Sequence, residues 1–407
     1  MTSTLIFNPF APGYATDPYP HLAELRAHDP VHQHPMGFWL LTRHADVSAV
    51  LRSGMSVELR NLGDGRLREQ RQEAVGEEPQ WRGAELSMLD RDPPDHTRLR
   101  RLVSRAFTRR AVAAMEARVV ELVDAELDRI EAAGEVNLVD ALAFPLPFNV
   151  ISELLGMPPI DHVRLRELAG IVGRSLEPGT DPQLMQSIAA ANAELYALTA
   201  DAIAVKRKNR GEDLLTALIE GEDDGDVLSD DELVAQVVLL YLAGHETTVN
   251  LIANGVLGLL RHPDQLALLR SRPDLLPDAI EELVRYDAPV QLSRRITTAP
   301  YKLRDREIPA GSFVLACLSA ANRDETVFGP DADQLKLDRP DSRNHVSFGM
   351  GVHHCLGAVL ARLEGRISIG RLVQRFPALR LVGEPTWNGR INLRGMSDLP
   401  VAVRQSA

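Results

Sequence analysis

Residues 348–357 read FGMGVHHCLG and contain Cys355, one of the two cysteines of the chain. Three glycines, one aromatic residue and two histidines surround Cys355, and an apolar helical pattern, LGAVLARLEGRISIGRLVQRF, begins with the next residue. Glycine lets the backbone turn tightly and approach a flat partner closely. The free N–H groups at the start of a helix stabilise a thiolate. A thiolate held in this way is a good ligand for iron.

Three interpretations of Cys355 compete. A buried thiol in a turn leaves the glycines, the aromatic residue and the histidines around one sulfur unexplained. A tetrahedral zinc site would use His353 or His354 with Cys355, but no second Cys-x-x-Cys or His-x-x-x-His motif completes the four ligands. The third interpretation is haem iron with an axial thiolate, whose electron donation favours O–O cleavage.

A second group of candidate residues lies on the helix predicted over residues 229–260, which opens with the capping box SDDE. One face of this helix carries a small residue, an acid, a hydroxyl and an amide at i, i+3, i+4 and i+7, namely Ala243, Glu246, Thr247 and Asn250. A hydroxyl backed by an acid can relay protons to dioxygen, and a small residue leaves room for it. A satisfied polar cluster in a helix core is the alternative.

The cysteine stretch resembles the haem-binding signature of the cytochrome P450 family. The signature, Phe-x-x-Gly-x-(Arg/His)-x-Cys-x-Gly, matches at Phe348, Gly351, His353, Cys355 and Gly357. By this resemblance, Cys355 is the proximal ligand of a haem b iron, Phe348 packs near the sulfur and His353 reaches a haem propionate. Gly349 and Gly357 are expected to contact the haem in the same loop.

The resemblance extends to AGHETT, residues 243–248, which is similar to the oxygen-binding motif of the family. It puts Glu246 and Thr247 in the acid and alcohol positions and Ala243 beside the haem. The implied activity is that of a monooxygenase that uses O2 and two electrons to hydroxylate a small molecule. Oxidative coupling, desaturation and epoxidation use the same oxidant, and peroxygenases of the family commonly lack this acid-alcohol pair. A haem sensor or carrier without turnover is the alternative from another class.

Residues outside these two stretches also fall at positions that the family uses. Four of them are expected to bind the haem and its propionates, namely His96, Arg100, Arg295 and His345. Glu282 and Arg285, in EELVR, resemble the buried Glu-x-x-Arg pair that braces the cysteine loop, and Arg339 falls where the family places a third partner. The alternative for Glu282 and Arg285 is a surface ion pair worth roughly 0.3–0.5 kcal/mol.

Helical periodicity dominates from about residue 93 onward, whereas strand-like runs are few and short. We therefore predict a mainly α protein with a small β portion, in one domain spanning residues 1–407. The resemblance implies the cytochrome P450 fold, with the haem buried between a long distal helix and the proximal loop and helix that carry the cysteine. The expected parts are an N-terminal part with a small sheet, a helical body, and a part with sheet, cysteine loop and proximal helix, at 1–90, 91–295 and 296–407.

The net charge of −12 and the pI near 5.5 indicate an acidic protein and argue against a nucleic-acid binder. The apolar run 237–260 is the nearest thing to a membrane span, but it has His245 and Glu246 in its middle. A charge there would cost about 2.5–3.5 kcal/mol in a bilayer. Because the chain has two cysteines and no signal-like start, we expect a cytoplasmic protein without membrane association. We also expect a monomer.

Six arginines lie between residues 98 and 110 with no acid among them. A solvated basic helix face is one interpretation, and a nucleic-acid patch is another. With a haem nearby, we predict that the face near Arg98–Arg110 binds an acidic ferredoxin-type electron carrier, because complementary charge speeds association. An NAD(P)H-dependent reductase would supply that carrier with electrons.

The predicted substrate pocket is mainly apolar, which fits a medium or large hydrophobic substrate. Its candidate residues are Met88, Leu239, Leu242, Val290, Leu292 and Arg294. Of these, Arg294 is predicted to meet a polar group of the substrate. LAGHETTVNLIANG is similar to family members that tailor secondary metabolites, including macrolides. Residues 60–82 are dense in mixed charge and are interpreted as an exposed loop or a mobile lid over the site.

Overall fold

The computed structural model describes residues 5–69, 86–157, 162–177, 181–223 and 225–404. The chain is 58% helical with a small β portion, which confirms the predicted fold class. The α-helices of the described residues are Tyr19–His28, His44–Arg52, Asp95–Ala106, Arg109–Ala114, Glu116–Ala133, Pro145–Leu155, His162–Gly173, Pro182–Lys208, Leu214–Glu220, Asp230–Arg261, Pro263–Ser271, Leu276–Tyr286, Leu318–Ala321, Glu325–Phe328 and Ala358–Arg375. A π-helix spans Val139–Ala143.

The strands form small sheets at the side of the helical body. They are β1 (Val31–Gln33), β2 (Phe38–Leu41), β3 (Glu135–Asn137), β4 (Glu222–Asp223), β5 (Asp226–Val227), β6 (Leu292–Ile296), β7 (Tyr301–Leu303), β8 (Arg306–Ile308), β9 (Phe313–Cys317), β10 (Arg380–Leu381), β11 (Thr386–Trp387), β12 (Met396–Asp398) and β13 (Pro400–Ala402). The largest sheet has the order β1-β2-β9-β6, with β2 and β9 parallel. It joins the N-terminal strands to the strands that precede the cysteine loop.

The helix Asp230–Arg261, called the long helix below, crosses the core. Its capping box is confirmed, because the N–H of Glu232 donates to Ser229 Oγ over 3.2 Å and the N–H of Ser229 donates to Glu232 Oε2 over 2.9 Å. Most of its apolar side chains are buried. Such a helix, apolar on nearly all sides, is expected only in the interior of a large protein.

The helix Ala358–Arg375, called the cysteine helix, packs directly on the long helix. Glycines make this approach possible: a Cβ atom on Gly255 would lie 2.9 Å from Ile369 Cδ1, and one on Gly365 would lie 3.2 Å from Leu251 Cδ2. Interiors are close-packed, so an added methyl group here would push the helices apart. The contact therefore sets the distance between residues 243–248 and the loop that carries the cysteine.

One helix within the described ranges, Gln183–Lys208, is long and apolar enough to cross a membrane by length and composition alone. This is weak evidence, because core helices of globular proteins meet the same criterion. The helix packs against His162–Gly173 and against the long helix. Residues 237–260, the run that most resembles a span in the sequence, lie within the long helix, where most side chains are buried.

Candidate functional site

The loop that carries Cys355 is closed by a backbone hydrogen bond. The N–H of Cys355 donates to the carbonyl oxygen of Phe348 over 2.8 Å. Between them, Gly349 (φ 66°) and Gly351 (φ 70°) adopt left-handed backbone conformations, which suit glycine. A Cβ atom on Gly351 would also lie 2.7 Å from the carbonyl oxygen of Leu51. The backbone path thus requires glycine where the sequence has it.

The Cys355 side chain is accessible, although the surrounding protein removes much of its hydration. Burial raises the pKa of the Cys355 thiol. The N–H groups of Gly357 and Ala358, at the start of the cysteine helix, and the cations Arg100 and Arg362 act against this rise. Coordination to a metal ion deprotonates a thiol outright. Cys355 is therefore a thiol by itself and is placed to become a thiolate when it binds a metal.

A pair of imidazoles lies beside this loop. The ring centroids of His96 and His353 are 4.1 Å apart. His96 is 2% exposed, yet neither of its ring nitrogens has a protein partner. Buried polar atoms are nearly always hydrogen-bonded, so an unpartnered imidazole points to a missing acceptor. The pKa of His353 is lowered to about 3, by burial first and then by the nearby His96, Arg295, Arg100 and Arg294.

The arginines of this cluster are largely buried. Arg295 is 4% exposed, and burial together with the neighbouring Arg294 lowers its pKa to about 10, with Asp92 acting in the opposite direction. Arg100 donates to the carbonyl oxygen of His354 over 2.7 Å. Buried cations and donors that outnumber the acids around them are suited to carboxylates. The residues present therefore fit the two propionates of a haem.

His345 requires a correction. Its position three residues before Phe348 predicts that it binds a propionate. In the structure, His345 Nε2 lies 3.1 Å from Glu281 Oε2, and His345 Nδ1 accepts a hydrogen bond from the N–H of Ser347 over 3.2 Å. Because both ring nitrogens are engaged within the protein, His345 does not serve a propionate. Its ring instead lies against Phe348, with the two centroids 5.5 Å apart.

Glu282 and Arg285 form a fully buried ion pair, not a surface pair. Arg285 Nε donates to Glu282 Oε2 over 2.6 Å, and both side chains are 0% exposed. Arg339, 4% exposed, donates from Nε to Glu282 Oε1 over 3.2 Å. Arg285 Nη1 also donates to the carbonyl oxygens of Asn322 and Ala332. One buried carboxylate thus holds two arginines that tie down the chain before the cysteine loop.

The structure places the alcohol of the long helix next to its small residue. Thr247 Oγ1 donates to the carbonyl oxygen of Ala243 over 2.7 Å, and Thr248 Oγ1 donates to that of Gly244 over 3.1 Å. Such hydroxyl bonds compete with the helix ladder and bend a helix locally. Ala243 is exposed in the middle of this otherwise buried helix, so open space adjoins the Thr247 hydroxyl.

Glu246 forms an ion pair that the sequence did not indicate. Its Oε1 accepts a hydrogen bond from Arg390 Nη1, and Arg390 Nη2 donates to the carbonyl oxygen of Gly170 over 3.1 Å. Burial raises the pKa of Glu246 above its usual value, and Arg390 limits the rise. A Cβ atom on Gly173 would lie 2.6 Å from Glu246 Oε2. Nothing local marks Arg390, since it stands alone in a loop near the end of the chain.

The predicted pocket residues have different surroundings. Leu239, Leu242 and Val290 are partly buried beside the core, whereas Met88 is buried and donates its N–H to Gln236 Oε1 over 3.0 Å. Two residues have neighbours that the sequence did not indicate. Leu292 packs into a core cluster with Phe7, Leu22 and Cys317. Arg294 forms an ion pair with Asp90, and its contact with a polar group of the substrate stays a prediction. Residues 70–82 of the predicted lid lie outside the described residues.

The arginines between 98 and 110 do not form one free basic face. Arg98 pairs with Asp226 over 3.2 Å and also with Glu232, and Arg105 donates to the carbonyl oxygen of Glu222 over 2.7 Å. The exposed members are Arg101, Arg105, Arg109 and Arg110. The last two open the helix Arg109–Ala114, which contacts the cysteine helix. Only part of the basic stretch is therefore presented beside the cysteine.

A zinc site finds no support in the arrangement of side chains. Among the residues with described positions, no group of three or more His, Cys, Asp and Glu side chains is placed to hold a metal ion. A planar group that carries its own metal ion agrees with this geometry. Such a group needs only one metal ligand from the protein, and the sulfur of Cys355 can be that ligand.

Comparison with known proteins gives one consistent result. Residues 183–386 match the family model described as cytochrome P450. Cytochrome P450 107B1 of Saccharopolyspora erythraea is 41% identical over an alignment of 410 positions, which covers 96% of this chain and 96% of the relative. The 6-deoxyerythronolide B hydroxylase of the same organism is 42% identical over 316 residues, covering 77% of this chain and 76% of the relative. The crystal structure of CalO2 superposes with a TM-score of 0.89 at 35% identity, covering 98% of this chain and 99% of that one.

Proposed function

Because the chain belongs to the cytochrome P450 family and is a monooxygenase, we propose that it hydroxylates a hydrophobic secondary metabolite with O2 and electrons from a separate redox partner. The observation that carries this proposal is the placing of an accessible thiol, Cys355, beside a buried cluster whose imidazole His96 lacks an acceptor. A haem b would satisfy both at once, with its iron on the sulfur and its propionates on the cluster.

Four residues would hold the propionates: His96, Arg100, Arg295 and His353. All four side chains are buried or half-buried. His96, Arg100 and Arg295 each lower the pKa of His353, so a nearby anion would stabilise this group of cations and donors. When bound, the haem supplies the one-electron and dioxygen chemistry that protein side chains lack. Phe348 and the glycines at 349, 351 and 357 would lie along the proximal side of the group.

Glu246 and Thr247 would deliver protons on the opposite side. Because burial raises the pKa of Glu246, this carboxyl is protonated to a larger fraction near neutral pH than an exposed glutamate is, so it can serve as a proton donor. Thr247 lies one residue on, and its hydroxyl faces the carbonyl oxygen of Ala243 beside the open space. Glu246 would supply a proton to the Thr247 hydroxyl, which would pass its own proton on into the open space beside Ala243.

The substrate is proposed to be a medium or large apolar molecule. Leu239 and Leu242 are partly buried, and Ala243 on the same helix is exposed, so an apolar wall faces the site. A relative named for hydroxylating 6-deoxyerythronolide B supports a secondary metabolite of that size. Oxidative coupling, desaturation and epoxidation remain alternatives on the same scaffold, and the product of a turnover assay distinguishes them.

Electrons are proposed to arrive from an acidic ferredoxin, reduced in turn by an NAD(P)H-dependent reductase. Beside the cysteine loop, Val352 is 51% exposed and Val359 is 41% exposed. Arg109 and Arg110 are exposed on the helix that contacts the cysteine helix. An apolar centre with a basic rim is suited to a negatively charged partner. We further propose a cytoplasmic monomer.

The proposal is tested by screening the haem-loaded protein against hydrophobic metabolites for a spin-state change in its absorption spectrum. Compounds that bind are then incubated with NADPH, a surrogate ferredoxin, its reductase and 18O2. We expect a product that is heavier by one 18O atom, and we expect its yield per NADPH to fall about tenfold or more when Thr247 is alanine. A correctly loaded protein that accepts electrons and binds ligands but forms no product across the panel would instead favour the sensor or carrier function.

A further inference from the structure

The helix Leu276–Tyr286 carries a second buried acid next to Glu282. Glu281 is 3% exposed and faces the cysteine loop, away from Arg285. Burial alone would raise the pKa of Glu281, but hydrogen bonds with His345 and Arg362 and their charges lower it to about 2. Glu281 is therefore an anion at neutral pH. No step of the proposed reaction uses it, although a buried charge is costly to keep.

Glu281 holds Arg362 by both carboxylate oxygens. Arg362 Nε donates to Oε1 over 2.6 Å and Nη2 donates to Oε2 over 2.9 Å. The guanidinium carbon of Arg362 lies 4.3 Å from the centroid of the Phe348 ring. A planar guanidinium that is fixed by a bidentate partner stacks on an aromatic face in one orientation. The acid therefore determines where the cation sits on the ring.

His345 completes the enclosure of the same ring. Since its Nδ1 accepts the N–H of Ser347, its Nε2 carries the proton that it donates to Glu281 over 3.1 Å. The His345 ring contacts Phe348 with a centroid distance of 5.5 Å. Phe348 is thus held by two side chains that both bond to Glu281. His345 and Arg362 both contact the ring of Phe348, which lies seven residues before Cys355.

The position of Phe348 is transmitted to the cysteine through the backbone. The N–H of Cys355 donates to the Phe348 carbonyl oxygen over 2.8 Å. The preceding residue, Ser347, is anchored because its Oγ donates to the carbonyl oxygen of Val284 over 2.9 Å. Arg362, seven residues beyond the cysteine on the same helix, adds a positive charge near the sulfur. The backbone hydrogen bond with Phe348 and the charge of Arg362 therefore both act on Cys355.

We propose that Glu281 and Arg362 are positioning residues that fix the Phe348 ring against the cysteine loop and set the reduction potential of the iron bound to Cys355. This inference rests on the proposed function, since it needs a haem on that sulfur. Reduction adds one electron to the ferric group, so a nearby cation favours the ferrous form and a nearby anion opposes it. Removing Arg362 lowers the potential, and removing the charge of Glu281 raises it.

The test is a potentiometric titration of the haem-loaded wild type and of the variants Arg362→Met and Glu281→Gln. We expect the ferrous-to-ferric ratio at a fixed applied potential to fall about tenfold in Arg362→Met, equivalent to about 59 mV for one electron. In Glu281→Gln the ratio rises. Arg366→Met is the matched control, because Arg366 lies one turn further along the same helix and pairs with Glu116 over 3.0 Å. It removes the same charge without touching Phe348, and we expect less than about a twofold change.

Arg362→Lys separates the charge from the planar contact. It keeps the cation but loses the bidentate fork and the stacking, so its potential should fall between those of the wild type and Arg362→Met. Arg362 is 36% exposed, so we expect its variants to fold even if Glu281→Gln does not. Shifts of one sign in Arg362→Met and Glu281→Gln, or a shift in Arg362→Met no larger than in Arg366→Met, would overturn the inference. Failure of the wild type to show a thiolate-type carbon monoxide spectrum would overturn the proposed function as well.

Discussion

Replacing Glu282 with glutamine should destabilise the protein more than any other loss of one carboxylate charge on its helix. The carboxylate accepts hydrogen bonds from Arg285 and Arg339, and all three side chains are at most 4% exposed. Glutamine has nearly the same shape, so the packing stays. The two arginines, however, lose the only negative charge that the structure shows between them at this point. Arg339 retains Asp331 over 2.9 Å, but Arg285 keeps only backbone carbonyls.

The size of the effect follows from the burial. Removing one partner of a buried ion pair costs about 3–5 kcal/mol, because the remaining charge is left uncompensated. At about 2.1 cal/mol/K per residue, the unfolding entropy of 407 residues is about 0.85 kcal/mol/K. The melting temperature of Glu282→Gln should therefore fall by about 4–6 °C.

Differential scanning calorimetry of the haem-loaded protein measures this shift. Asp278→Asn is the matched control, since Asp278 lies on the same helix and pairs with Arg343 over 2.8 Å, with both side chains at least half exposed. An exposed pair contributes less than about 1 kcal/mol, so this variant should melt within about 1 °C of the wild type. Equal shifts in the two variants would refute the reasoning that burial makes the Glu282 pair matter.

Other predictions concern the site directly. Thr247→Ala should lower the amount of product formed per NADPH consumed about tenfold or more. Thr248→Ala is the control, because the Thr248 hydroxyl makes the same kind of hydrogen bond one residue further on, and this variant should retain most of the wild-type product yield. Product and consumed NADPH are measured in the same reaction. His96→Phe should speed haem loss to excess apomyoglobin about tenfold, while Thr97→Ala at the exposed neighbouring position should not. The pKa of Glu281 is lowered to about 2, so the stability it contributes is complete above the usual glutamate pKa and is lost as the pH falls toward the folded value. The difference in urea midpoint between wild type and Glu281→Gln should thus be largest at pH 7 and smaller at about pH 3. Replacing Arg109 and Arg110 with glutamate should slow reduction by an acidic ferredoxin, with a smaller effect at high salt, as followed by stopped-flow absorbance.

Features that depend on local backbone were predictable from the sequence. The φ angles of 66° at Gly349 and 70° at Gly351 follow from a chain that must turn tightly before a helix. The capping box at Ser229 needs only residues three apart. The face shared by Ala243 and Thr247 follows from helical periodicity, which places them one turn apart.

Features that depend on contacts between distant segments were not predictable in this way. The spacing of His345 from Phe348 does not predict its contact with Glu281. Glu281 lies 64 positions earlier in the chain and forms a hydrogen bond with His345 Nε2. Arg390 reaches Glu246 across 144 positions from a loop without a recognisable pattern. Strand β6 alternates its side chains between two faces, and the sequence did not reveal that the face of Leu292 meets the core.

Ligation of haem iron by Cys355 is tested most directly by the carbon monoxide difference spectrum of the dithionite-reduced, haem-supplied protein, measured for the wild type and for Cys355→Ser. Thiolate ligation predicts a strongly red-shifted Soret band in the wild type that is lost in the variant. A folded wild type without a haem band, or a band that persists unchanged in Cys355→Ser, would contradict the assignment of Cys355 as the iron ligand.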